Sequence, residues 1–162
     1  MQITNFIANL EGKWLRKETL YSLVNEKIIS NQSKVYYKSL THLQQKFPNL
    51  NSYTAKYKIF AVLEILWENQ SNKLAHIICF YQLPESISGQ FIQWNQNTPH
   101  KLIKGDFYWN NSKILNVVIK QGNTSIQEKI YTPIDKLKLV NNIRKKFNIC
   151  VSVLFISEIK LN

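Results

Sequence analysis

The sequence predicts an all-β fold, an antiparallel up-and-down barrel of roughly eight to ten strands with a short N-terminal helix. Three observations predict it. Runs rich in β-branched and aromatic residues recur about every 10–15 residues. The turns between those runs are too short for parallel crossovers. The stretch LEGKWLRKETLY, Leu10 to Tyr21, has charge on both faces. Alternate side chains of a strand share a face, so Trp14, Arg16, Glu18 and Leu20 point one way and Leu15, Lys17, Thr19 and Tyr21 the other. Whichever face turns inward must house charge. A sheet on a dry core does not do that; a barrel with a wet or liganded interior does.

The elements follow in order. Thr4 to Leu10 reads as a short helix, with Thr4 as N-cap and Phe6, Ile7 and Leu10 as an apolar stripe. After Gly12 the chain reads as strand and turn. Ser33 to Leu40, SKVYYKSL, is β-branched and aromatic; the polar THLQQKFPNLNSYT that follows has room for a helical turn before Pro48. AKYKIFAVLEILW and KLAHIICFYQL flank the hairpin turn Glu68-Asn69-Gln70-Ser71-Asn72. KIFAVLEILWEN is the one rival for a helix, but its apolar residues run continuously rather than at helical spacing, which suits a buried strand. SGQFIQWN and KGDFYW are shorter strands. Asn110-Asn111-Ser112 turns the chain into KILNVVIKQ, and Gly122-Asn123 turns it into TSIQEKIYT; DKLKLVNNIRK and ICVSVLFISEIKL complete the set. So many antiparallel strands tend to curl and close, which removes exposed edges.

Composition bounds the rest. The 162 residues, 44% of them hydrophobic and 12% aromatic, suit one domain, 1–162, with a real core. No apolar run approaches the roughly 18 residues of a membrane span. MQITNFIANLEGKW lacks a basic flank followed by an apolar segment, so no secretory signal is expected. Cys79 and Cys150 lie in apolar runs without a neighbouring His or Cys, and are expected as buried free thiols. His42, His76 and His100 have no partner at metal-ligand or catalytic spacing. No Ser-His-Asp array, phosphate loop or carboxylate pair stands out. The net charge of +11 invites a nucleic-acid reading. Yet 19 of the 21 basic residues are Lys, spread along the chain rather than clustered, and Ile, Lys and Asn make up about a third of it. That bias suits an A/T-rich genome such as a plastid's, and no nucleic-acid partner is expected.

Gly12-Lys13-Trp14 opening the first strand after a short helix resembles the lipocalin (calycin) superfamily, in which the Trp plugs the closed end and a basic residue, here Lys160, packs across it. The C-terminal third is more specific. Glu128-Lys129-Ile130-Tyr131, then TPIDKLKLVNN, Phe147, and Phe155-Ile156-Ser157-Glu158-Ile159-Lys160 resemble the pattern E-x-x-W-F-x-x-P-N-L-R-x-R-x-S … F … F-C-S-E-I-R of the CpcS/CpeS (S-type) phycobiliprotein lyases. Gly12 to Thr19 is similar to that family's G-K-W-x-S-Q-R-T, and Trp67-Glu68 to its mid-chain W-E.

The resemblance implies a lipocalin-like barrel that binds a linear tetrapyrrole (a bilin) as substrate, phycocyanobilin or phycoerythrobilin, with no separate cofactor. It implies transfer of that pigment to a cysteine of a phycobiliprotein α or β subunit through a thioether. Other partners it implies are a bilin-supplying reductase and, in some relatives, a second copy or a paralogue. The location implied is the chloroplast stroma or a cyanobacterial cytoplasm. Glu128 matches the family's inward carboxylate and is expected to meet pyrrole N–H groups in catalysis. Trp67, joined by Trp94 or Trp109, is expected to wall the pocket, and Lys138, at the place of an Arg, to hold a propionate. Asn142 stands where the family has Ser. Glu18 reverses the charge of a family Arg, for which Arg16 on the same face is the expected substitute, and Val140 replaces a second Arg. Phycobiliproteins are acidic on the whole, so a basic lyase surface would steer the encounter. A lipocalin-type carrier that transfers nothing, and a basic barrel that binds RNA with Lys and aromatics, are the rival readings.

Overall fold

The computed structural model describes residues 3–40, 58–68, 73–82, 86–95, 97–110 and 114–162. A helix, α1 (Ile3–Asn9), precedes ten strands: β1 (Gly12–Ser22), β2 (Lys27–Ser39), β3 (Lys58–Glu68), β4 (Lys73–Gln82), β5 (Ser88–Asn95), β6 (Thr98–Trp109), β7 (Ile114–Gln121), β8 (Thr124–Ile134), β9 (Leu137–Lys146) and β10 (Ile149–Lys160). Each strand pairs antiparallel with its sequence neighbours, and β1 pairs with β10 to close the barrel. The expected up-and-down barrel is therefore present, at the upper end of the expected strand number. Among the described residues no helix is long and apolar enough to cross a membrane.

Two strands begin earlier than the sequence reading placed them. β2 starts at Lys27 rather than Ser33, and β6 at Thr98 rather than Lys104. The ladder explains β2: Ser30, Asn31, Gln32 and Ser33 have weak strand preference, yet each pairs with a residue of β1 across a four-residue turn. The β9–β10 turn has φ of 51° at Phe147 and 63° at Asn148, the two left-handed residues of a I′ hairpin. KIFAVLEILWEN is strand, as its continuous apolar run suggested, because β3 is covered on both faces. Leu63 and Ile65 belong to the interior cluster, and Val62 to a second cluster with Ile77, Cys79, Tyr81, Ile92 and Trp94 on the outer side of β3–β5. The helical turn expected before Pro48 lies outside the described residues.

The interior cluster fills the lower barrel. Trp14 and Val35 are fully buried, with Tyr37, Leu63, Phe80, Phe91, Phe107 and Leu115 around them. Helix α1 caps this end: Phe6 packs on Trp109 with ring centroids 5.0 Å apart, and the Trp14 indole N–H donates to the Leu10 carbonyl at 2.8 Å. Lys160 Nζ lies 5.5 Å from the Trp14 ring centroid and donates to the Asn9 carbonyl at 3.0 Å. The lipocalin-like plug and its basic partner are thus both in place. At the opposite end the β1–β2, β7–β8 and β9–β10 turns surround the mouth.

Candidate functional site

Register decides which side chains see the lumen. Trp14 is interior, so its alternates Arg16, Glu18 and Leu20 are interior too. They sit across from Glu158, Ile156 and Leu154 of β10. Carrying the parity round the sheet, Lys138, Val140, Asn142 and Arg144 of β9 face inward, as do Ile126, Glu128 and Ile130 of β8. One wall of the lumen is therefore polar. The charge on the opening strand, which a dry core could not accept, has its place there.

The lower part of that wall is a buried charge cluster. Glu158 is fully buried. Its carboxylate accepts from Arg16 Nη1 at 3.0 Å and pairs with Lys138 Nζ at 2.6 Å. The Tyr37 hydroxyl donates to the same carboxylate at 3.0 Å and accepts from Lys138 Nζ at 2.5 Å. Arg16 Nε binds Glu18 Oε2 at 3.0 Å. Arg16 thus spans two carboxylates, one from its own strand and one from β10. Burial pulls the Lys138 ammonium below the usual lysine range, opposed chiefly by Glu158 and to a smaller extent by Glu128. Burial and the Glu158 charge push the Tyr37 hydroxyl well above the ordinary tyrosine value. Burial also lowers Arg16, but the neighbouring carboxylates outweigh it and the guanidinium is held more firmly protonated. A neutral, donating tyrosine between two cations and a carboxylate is the result.

Higher on the same wall, half-buried Glu128 and Asn142 are directly paired across β8 and β9. The Asn142 amide donates to Glu128 Oε1 at 2.5 Å. Asn142 thus fixes a carboxylate that opens toward the lumen.

The facing wall is mainly apolar and aromatic, with His76, Gln93 and Asn95 as its polar members. Trp67, inward on β3, is partly buried against the interior cluster and meets the His76 ring edge-on at 4.8 Å. Gln93 and Asn95 bracket the two imidazole nitrogens at 3.0 and 3.4 Å. Burial lowers the His76 pKa, which favours neutral imidazole. Of the other two tryptophans expected as wall candidates, Trp94 faces out of the barrel: β5 alternates, and Phe91, Gln93 and Asn95 take its inner face. Trp109 is inward but lies in the floor under α1.

The structure brings Arg16, Glu18 and Lys138 into one cluster and Glu128 with Asn142 into a second, and sets Trp67 on the other wall. It adds Tyr37, Glu158 and His76, which sequence reasoning had not chosen. Glu158 lay in the quoted FISEIK stretch, so its signal was available. Tyr37 carried none, since its partner is 121 residues away. Cys79 and Cys150 are free; Cys79 is buried as expected, while Cys150 is only half-buried on β10.

Comparison with known proteins adds four findings. The family model described as CpeS-like protein matches residues 2–161. The chain is 28% identical over 160 residues to the chromophore lyase CpcS/CpeS homolog of Pyropia yezoensis, covering 98% of each. It is 24% identical over 163 residues to that of Porphyra purpurea, covering 99% of each. The solved S-type phycobiliprotein lyase CPES from Guillardia theta superposes with a TM-score of 0.79 at 12% identity, over all of this chain and 94% of that one, a likeness of fold.

Proposed function

The chain belongs to the CpeS-like family, and from that premise we propose that it is a phycobiliprotein chromophore lyase. It binds a bilin in the barrel and attaches it through a thioether to a cysteine of a phycobiliprotein α or β subunit. The observation that carries this reading is a half-buried carboxylate, Glu128, held by Asn142 on the polar wall and facing the apolar wall that contains Trp67. A bilin needs both walls. Its conjugated rings gain about 25 cal/mol per Å² of apolar surface removed from water, and aromatic faces suit them. Its pyrrole N–H groups need an acceptor, and a carboxylate makes the stronger, charge-assisted bond. Glu128 in this role favours the protonated pigment, and the positive charge on the conjugated rings draws electron density from the exocyclic double bond of the first ring.

The acceptor's thiol then adds across that double bond. The sulfur–carbon bond forms at the outer carbon, the proton ends on the adjacent ring carbon, and no oxidant or reductant is consumed. The protein's contribution is positioning, which removes the orientational cost and excludes additions at wrong carbons. In this reading Arg16 and Lys138 are held by Glu18 and Glu158 in a cluster of two cations and two carboxylates, which orders the polar wall and leaves no net charge for the propionates. Cys79 and Cys150 take no part, since the nucleophile is the partner's. Chloroplast stroma, and supply of the pigment by a bilin reductase, complete the proposal.

The test is spectroscopic. Mixing the protein with phycocyanobilin or phycoerythrobilin is expected to shift and sharpen the visible band. Adding an apo-phycobiliprotein subunit is expected to yield colour that survives denaturation. Glu128→Gln is expected to lower bilin affinity by roughly tenfold or more, the value of one lost charge-assisted bond. No band shift ends the bilin reading; a shift without denaturation-resistant colour leaves a carrier.

A further inference from the structure

The outward face of β7, β8, β9, β10 and β1 carries no carboxylate. The alternation that turns Glu18, Glu128 and Glu158 into the lumen leaves Lys13, Lys17, Lys120, Lys129 and Lys145 on the outside of these five adjacent strands. Lys13, at the border, meets Glu68 of β3 at 3.4 Å. Between Lys17 and Lys129 runs a groove of about 410 Å³ over Thr19, Phe155, Leu139 and Tyr131. Its floor is unusually open for such side chains: Phe155 is 49% exposed, and Leu139 and Tyr131 are each 39% exposed. Tyr21 packs edge-on against Phe155 at 6.0 Å and carries the apolar strip toward the mouth. There the turn residues Leu23, Val24 and Phe147, and Ile149 beside them, are all more than half exposed. An exposed apolar strip whose strand-borne charges are all lysines marks an interaction surface.

We propose that this face docks an acidic protein surface, with the strip as its apolar contact and the lysines as its rim. Charge selects the occupant. A second copy would bring another molecule of net charge +11 against a lysine rim, whereas carboxylates on a partner meet the lysines of the strands, with exposed Glu26 of the β1–β2 turn an acidic residue at the mouth end. Position selects it too, because a partner seated on the strip lies beside the mouth, where a cysteine can reach the lumen. The partner's identity rests on the lyase reading, in which the surface is that of the acceptor subunit; the face and its charge preference do not.

The experiment uses the full chain, an apo-phycobiliprotein α subunit as probe, and two variants, Phe155→Asp and the pair Lys17→Glu/Lys129→Glu. Association is followed by biolayer interferometry at low and high salt, and bilin uptake by the visible spectrum. Wild type is expected to bind the subunit with affinity that falls as salt rises. Each variant is expected to lose at least tenfold in that affinity while taking up bilin as wild type does. Retained subunit affinity in both variants overturns the proposal, and intact bilin uptake then shows that the lyase reading is untouched. Absent bilin uptake by wild type, beside subunit binding that the variants weaken, overturns the lyase reading and leaves the docking face. A concentration-dependent dimer in sedimentation, abolished by the same changes, assigns the face to a second copy and overturns the proposal.

Discussion

At the scale of single residues, the buried charge cluster is the most consequential feature. Glu158 is fully buried between Arg16 and Lys138. Removing it leaves Lys138 out of water without an anion, and Arg16 with Glu18 alone, which costs about 3–5 kcal/mol. Glu158→Ala should therefore shift the urea midpoint strongly downward, and pairing Glu158→Gln with Lys138→Met should recover part of the loss. A double-variant loss equal to the sum of the separate Glu158→Gln and Lys138→Met losses would mean that the two side chains are not energetically coupled. Cys79 gives a second residue-level prediction. Burial pushes its thiol from about 9 up to about 12. Above pH 9 the unfolded chain releases this proton and the folded chain keeps it, so stability falls as pH rises toward 12. Relative to Cys79→Val, wild type should lose roughly 2–3 kcal/mol between pH 9 and 11 in urea titrations, at 1.36 kcal/mol per unit. Parallel curves would show that the thiol ionises in place. The sequence supplied Glu128 and Arg16 through motif and parity. It hid Tyr37, because no local pattern announces a hydroxyl whose partners arrive from the last two strands.

At the scale of elements, alternation and turn chemistry carried most of the fold. Strand limits were legible where a turn was marked, as at Gly122-Asn123. They were not where polar residues pair in a ladder, as at Ser30 to Ser33 of β2, since pairing there is set by β1 and not by intrinsic preference. The inner or outer assignment of Trp94 failed for a related reason: both faces of β3–β5 carry large apolar residues, so composition alone does not fix parity. Inside the barrel, β6 approaches β5 closely at Gly105. A Cβ there would drive into the Phe91 ring and come within 2.7 Å of the Val118 carbonyl oxygen. Gly105→Ala should cost about 1–3 kcal/mol, the usual range for overpacking a filled core. In a thermal melt this appears as a fall of roughly 2–4 °C per kcal/mol. An unchanged melting temperature would mean that β5 and β6 separate at little cost.

At the scale of the whole molecule, the closing pair β1–β10 joins Trp14 to Lys160, almost the full length of the chain apart. Every strand therefore depends on a contact made late in sequence, and the lumen exists only once the ring is complete. A pigment that binds inside recognises this closed state alone, so it must stabilise the fold by mass action. At a free bilin concentration of 100 times Kd the gain is about 2.7 kcal/mol, which for a domain of this size raises the melting temperature by roughly 5–10 °C. The polar wall is already internally paired, so this gain comes from covering the apolar wall and satisfying Glu128; Glu128→Gln should shrink the shift at a fixed bilin concentration. A visible band shift without any rise in melting temperature at that excess would place the pigment outside the lumen, on a surface that persists when the barrel opens. The polar and aromatic walls would then serve stability alone, and the lyase reading would lose the binding site between them on which it depends.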